Sequence, residues 1–287
     1  MFLCGVVAMT TLLCRPVLAA AIDDEAVVSR TVEPAERPPL VPEEALRLNE
    51  GTAYMVGRHR LKLGILAFEF GIFEKLSVGT DPPAWAVRAV SRVWVPNLHV
   101  KYQFWNRGRL AVAGLVGGYV ADVSKADASG FVFEVPMSAL VSVICTRHLI
   151  LHPSATYVYA RAVGSGDVAS ATVHGAAAVR AVQTALLAQI PITDVISLLA
   201  LGQVQLYTGD VGFSADKQVD PYTSVTVNAT MVPAHQHPWQ AVAGAAFLWR
   251  YFRLTAGAGY GYYFIPGMQI AVPKQTVVPY LSAEVVL

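Results

Sequence analysis

Apolar residues make up 54% of this 287-residue chain and charged ones only 14%, yet the apolar residues come in short packets. That combination constrains the fold more than any single motif does. A mean hydropathy of +0.46 is too high for an ordinary water-soluble domain. A helix crossing a bilayer needs about 18 or more consecutive apolar residues. Beyond the opening segment the longest candidates are 110–121 and 135–145, and both stop well short. Backbone in lipid must pair its amides within a helix or between the strands of a closed barrel. Segment length rules against helices, so the short packets predict an all-β chain: an antiparallel barrel that crosses a membrane on strands.

Period-two alternation supports this in four places. Arg58, Arg60 and Lys62 oppose Leu61, Leu63 and Ile65, and His99, Lys101 and Gln103 oppose Val100, Tyr102 and Phe104. Ser224, Thr226, Asn228 and Thr230 oppose Val225, Val227, Ala229 and Met231. Arg253, Thr255, Gly257, Gly259 and Gly261 oppose Leu254, Ala256, Ala258, Tyr260 and Tyr262. One polar and one apolar face is the pattern of a strand between a lumen and lipid. The segments expected as strands are 57–66, 73–80, 98–105, 109–122, 131–144, 149–162, 176–190, 195–208, 222–232, 239–251, 252–264 and 276–287. That is about 12 strands, with ten to fourteen open, because 110–121 and 176–187 are apolar or small on both faces and the Ala-rich run 176–189 also fits a helical period. Trp105, Trp239, Trp249, Tyr251, Tyr262, Tyr263 and Phe264 fall at strand ends, where an interfacial aromatic girdle belongs. The long connections 81–97, 163–175 and 209–221 conflict with this count: twelve strands with both ends on one side would put them on that same side.

The two ends of the chain agree with a barrel in an outer membrane. At the C-terminus, Val277, Pro279, Leu281, Ala283, Val285 and Leu287 form an apolar row against Tyr280, Ser282 and Glu284, so a strand runs to the terminal carboxylate. At the N-terminus, Phe2 to Leu13 is almost wholly apolar, and Val17, Leu18 and Ala19 precede Ala20 and Ala21 as small-residue cleavage sites. This reads as a signal peptide over 1–21, although no basic residue precedes its apolar run. Residues 22–50, rich in Pro and Glu, read as a disordered periplasmic arm, with a short helix at Pro42 to Leu48 as the alternative. The barrel is expected over 51–287. With leader, alternating strands, girdle and closing strand together, the chain resembles a bacterial outer-membrane β-barrel protein. The family's usual terminal aromatic is replaced by Leu287. The resemblance implies localisation in the outer membrane, contact with its lipid, and insertion by the barrel-assembly machinery through the last strand. It leaves the oligomeric state open.

Charge and cysteine content exclude other classes. Removing the leader with Arg15 leaves 20 basic and 20 acidic residues, a net charge of zero, and no basic stripe for nucleic acid. It also leaves Cys145 as the sole cysteine, too little for a disulfide within that mature chain or for a thiolate metal site. His235-Gln236-His237 is the one metal-like spacing and lacks a third ligand. His152-Pro153-Ser154 brings a His near a Ser without a motif for nucleophilic catalysis. The glycine-rich stretch Gly257 to Tyr262 lacks the strand-then-helix context of a phosphate loop. No enzyme activity, metal or cofactor is therefore expected. Arg58, Arg60, Lys62, Lys101, Gln103, Arg253 and Glu284 are the expected lumen-lining residues. The leading functional reading is a pore or passive transporter for small solutes. The alternatives are a non-conducting structural or ligand-binding barrel acting through its loops and, third, a lipid-modifying enzyme.

Overall fold

The computed structural model describes residues 48, 51–85, 94–125, 128–168, 171–209, 211–220, 223–231, 237–249, 251–265, 267 and 271–287. The expected leader, and the arm apart from Leu48, lie outside the described residues. Fourteen strands follow one another: β1 (Leu61–Gly64), β2 (Phe68–Phe73), β3 (Leu76–Thr80), β4 (Asn97–Arg107), β5 (Leu110–Lys125), β6 (Ala128–Thr146), β7 (Leu149–Val168), β8 (Ala171–Pro191), β9 (Ile196–Thr208), β10 (Val211–Asp220), β11 (Thr223–Met231), β12 (Trp239–Leu248), β13 (Phe252–Phe264) and β14 (Ala271–Val286).

Twelve of them make a closed antiparallel wall. Strands β1 to β9 pair in order, β9 pairs with β12, and β12, β13 and β14 lead back to β1. β10 and β11 form a hairpin outside this ring. β9 pairs with β8 over 181–191, whereas β10 pairs with it over 173–178, so the hairpin prolongs the wall past one rim.

The ring has twelve strands, but not the twelve expected. The segment 73–80 holds parts of two strands, β2 and β3, joined by a turn at Glu74 and Lys75. The expected ninth strand is β11, and its partner β10 lies in what reads as a loop. Both differences have physical causes. β2 is only six residues long, so its brief alternation around Glu69 does not mark a strand by itself. A ribbon beyond the rim faces no lipid, so β10 needs no apolar row. The corrected assignment also removes the loop conflict. The short turns at 74–75, 108–109, 147–148, 192–195 and 249–251 share a rim with Leu61 and Leu287, and the long connections lie at the opposite rim.

The wall is inverted relative to a water-soluble protein. On β4, His99, Lys101 and Gln103 are 5%, 2% and 4% exposed, while Leu98 and Phe104 are 57% and 61% exposed. Polar side chains thus fill the interior and apolar ones face out, as lipid on the outside requires. Two aromatic groups bracket this surface. Trp249 stacks with Phe247 and Phe252 at 6.1 and 5.6 Å at the terminus-side rim, and Trp239 meets Tyr260 at 6.3 Å at the other end of β12. The ten residues of β12 between them match the ~9–11 a bilayer-crossing strand needs. Close approach of β12 and β13 at one position requires glycine. Gly244 is paired with Gly257, and a Cβ on either would run into the backbone opposite.

On the outer side of β5, β6 and β7, Val141, Val143 and Cys145 are buried with Leu110, Val112, Leu149 and Leu151 packed against them. Cys145 is disulfide-bonded in the full chain.

Candidate functional site: the plugged lumen

Alternation along each strand delivers every second side chain to the lumen, and antiparallel register places those side chains opposite one another. Across the seam where the last strand meets the first, this builds a belt of charge. Arg253 on β13 donates to Glu284 on β14 at 3.1 Å, and Lys62 on β1 lies 3.8 Å from Glu284 and 3.1 Å from Glu69 on β2. Ser77 on β3 donates to Glu69. Five strands are thus stitched together through groups that are each less than a tenth exposed. An uncompensated charge there would be costly, so the alternation of signs is what lets the belt exist.

Beside the belt, Leu48 and residues 51–56 are seated in the lumen. Thr52, Ala53 and Tyr54 are 0%, 0% and 4% exposed, though none belongs to a strand. Inward-facing side chains hold them by the backbone. Lys101 Nζ donates to the Tyr54 carbonyl at 2.5 Å, Gln103 Nε2 donates to the Ala53 carbonyl at 2.7 Å, and the Ala53 amide donates to Ser142 Oγ at 2.9 Å. A chain of polar groups backs Ser142: His152 Nδ1 at 2.8 Å, Gln189 Oε1 at 3.4 Å from His152 Nε2, and Ser197 Oγ accepting from Gln189 Nε2 at 3.1 Å. Apolar contacts complete the seat. Ala53 and Tyr54 pack with Ala111, Ala113 and Leu140, and Leu48 packs with Leu199, Ala246 and Leu248.

The plug divides the interior. On the terminus side a cavity of about 410 Å³ is lined by Met55, Arg58, Arg60, Glu74, Asn106 and Arg253 among others. On the far side a chamber of about 260 Å³ is lined by residues from around the ring, among them Lys62, Lys101, His152, Gln203, Gln240 and Tyr280. Above it, Asp81 gathers His99 (3.3 Å) and the Tyr119 hydroxyl, which donates to it. Glu134, opposite Tyr119 in register, is 3% exposed.

Of the residues expected in the lumen, Lys62, Lys101, Gln103, Arg253 and Glu284 are buried on the inner face. Arg58 and Arg60 are exposed and line the terminus-side mouth of the interior, outside any strand. Gly57 and His59 have φ values of 92° and 58°, so the backbone is still turning out of the plug there, and no period two exists before Leu61. Among residues the sequence did not single out, Glu69 sits between Phe68 and Phe70 in a readable alternation. Ser142, Gln189 and the plug itself carry no such signal. His152 pairs with Ser142 rather than with its near neighbour Ser154, which lines the chamber. His237 is exposed with Nδ1 3.1 Å from the Gln205 carbonyl, and His235 lies outside the described residues. Among the described residues, no group of three or more His, Cys, Asp or Glu is placed to hold a metal ion.

Closed wall, inverted polarity and aromatic rims define a transmembrane β-barrel. No family model matches the chain, and no curated protein does. Solved structures similar to it are bacterial outer-membrane barrels. The toluene transporter TodX of P. putida aligns over 79% of this chain and 66% of its own, at 10% identity and a TM-score of 0.41. The translocator domain of the autotransporter NalP from Neisseria meningitidis aligns over 79% and 84%, at 11% identity and 0.40. CdiB from Acinetobacter baumannii aligns over 79% and 59%, at 10% identity and 0.31. Overlaps this low bear on neither substrate nor activity.

Proposed function

We propose that the chain is a gated passive transporter for small solutes in the bacterial outer membrane, closed in this conformation by its own Leu48 and residues 51–56. The observation that carries the reading is the manner in which the plug is held. Among the described residues its contacts to the wall include side-chain hydrogen bonds to backbone and modest apolar packing, and none of residues 51–56 belongs to a strand, so it can leave without opening the ring. Behind it lie cavities on both sides. Ser142 and His152 serve in this reading as plug supports: the Ser142 hydroxyl is engaged by Ala53 and His152 at 0% exposure. Assembly through the closing strand β14 belongs to the same proposal.

Single-channel recording of the refolded chain in a planar bilayer tests it, after a heat-modifiable gel shift has shown that the barrel is folded. The intact chain is expected to be silent with rare openings, and a chain lacking residues 22–56 is expected to conduct in steady steps. The double variant Lys101→Ala, Gln103→Ala keeps the segment but loosens its hold, and should raise the open fraction. Folded deletion and double variants that both stay silent would sink the transport reading. A structural or ligand-binding barrel acting through its far-side connections would then be left.

A further inference from the structure

We infer that the far-side chamber is a seat for a small, uncharged, polyhydroxylated solute, held by a row of amides and hydroxyls on the inner wall opposite the charged belt. The inference names a solute class for the transport reading and rests on that reading for passage, though not for binding.

The first observation is a second belt. The charged one runs from Arg253 to Ser77 across β13, β14, β1, β2 and β3. Across β6, β7, β8, β9 and β12, register builds a row of uncharged polar residues. Ser138 stands opposite Thr156, Thr156 opposite Gln183, Gln183 opposite Gln205, and Gln203 opposite Gln240. Residues opposed in this way share a face, so the row is continuous from β6 to β12. Ser138 and Thr156 share a hydrogen bond of 2.8 Å. An ion held against this row would lose its water with no opposite charge in the row to replace it, a cost that a neutral polar solute does not meet.

The second observation is a direction among the amides. The Gln240 amino group donates to Gln203 Oε1 at 2.8 Å, and Gln203 Nε2 donates to Gln183 Oε1 at 3.2 Å. Gln183 Nε2 then donates to Gln205 Oε1 at 3.3 Å, and Gln205 Nε2 to Thr208 Oγ1 at 2.5 Å. Every side-chain carbonyl in this series receives a bond except the first. Gln240 Oε1 is buried without a partner, on a residue 7% exposed that lines the chamber. A buried acceptor without a donor is costly, and a hydroxyl on a bound solute removes that cost.

The rest of the lining narrows the guest. Leu201 and Val242, each two residues along the inner row from Gln203 or Gln240, supply apolar surface for the C–H faces of a polyol, and Ser154 and Tyr280 add hydroxyls. Apart from two histidines, the described lining sets Lys62 and Lys101 against Glu69 and Asp81, so it favours neither sign of charge. The volume, about 260 Å³, is below the ~300–1,000 Å³ of drug-sized sites, which limits the guest to about the size of a monosaccharide.

Saturation-transfer difference NMR tests the seat, with xylitol as the probe and the full chain refolded in a detergent that has no sugar head. A heat-modifiable gel shift checks each sample for folding. The same measurement on the Lys101→Ala, Gln103→Ala variant gives the probe an entrance past a loosened plug. Saturation of xylitol is expected in at least one of the two. None in either overturns the seat and leaves Gln240 Oε1 to water alone. The fully methylated ether of xylitol keeps its acceptors but has no donors, and it should show no saturation. The charged analogues xylonate and 1-amino-1-deoxyxylitol should displace xylitol poorly. Binding by the ether or by either ion as good as that of xylitol overturns the chemical class. Gln240→Met stays close to glutamine in shape without the acceptor, and should weaken xylitol about 3–10-fold, the worth of one hydrogen bond. Unchanged affinity overturns the role of Gln240. If that variant fails its gel shift, Thr156→Val, which removes a hydroxyl from the same row, carries the same comparison. Silent bilayer traces with xylitol still bound would sink transport alone, and conduction without xylitol binding would sink the seat alone.

Discussion

Buried charge sets the terms at the scale of the residue. Lys62 faces two carboxylates, and Glu284 faces two cations, so removing one group leaves its partners under-compensated rather than merely unpaired. Lys62→Met is expected to lower stability by about 3 kcal/mol, in the range for breaking a buried pair, read as the shift in urea midpoint of the folded barrel. Arg253→Met should act in the same direction from the other end of the belt. The mouth behaves differently because Arg58 and Arg60 are exposed and contribute field rather than stability. In the plug-deleted chain, Arg58→Glu with Arg60→Glu should shift the reversal potential toward cation selectivity and leave the urea midpoint unmoved. Lys62, Lys101 and Glu284 were readable as inward because each sits in a clear alternation. Ser142 was not, since Leu140 and Ile144 flank it on its own face and break the polar row; His152 heads a short row with Ser154 and Thr156, but nothing local shows what it meets.

Among elements, the contrast is between strands that must lie close and strands that need not. Gly244 and Gly257 oppose each other where β12 and β13 approach, and a side chain on either meets backbone that cannot yield. Gly257→Val should cost about 1–3 kcal/mol by overpacking and slow the appearance of the heat-modifiable band. Gly202 on β9 has nothing within 4 Å of a built Cβ, so Gly202→Val should be neutral or slightly stabilising by the same assay. The β13 glycine row was legible as a strand face easing curvature, because it alternates with Leu254, Ala256, Ala258 and Tyr260. The β2–β3 hairpin was only partly legible: β3 lies within the expected strand 73–80, while six-residue β2 falls almost wholly in the stretch between two expected strands.

For the whole molecule, the corrected wall sets a direction. Both chain ends, the short turns and the mouth with Arg58 and Arg60 share one rim, while the β10–β11 hairpin and the other long connections share the opposite one. An epitope inserted after Lys125 should be reached by antibody on intact cells, and one inserted after Arg147 only after permeabilisation; the reverse pattern would invert the orientation. The amino-acid sequence by itself determined that the chain is made of strands with one polar and one apolar face, closed on themselves. Lipid outside and amide pairing inside act on each strand locally, and so leave a period. Only the tertiary structure decided which strands complete the ring and that Leu48 and residues 51–56 are seated in the lumen. The bond from Ala53 to Ser142 spans 89 residues of chain, and it joins a segment without any period to one position in a row. Contacts of that kind are fixed by where the closed wall brings distant groups together, which no local pattern records.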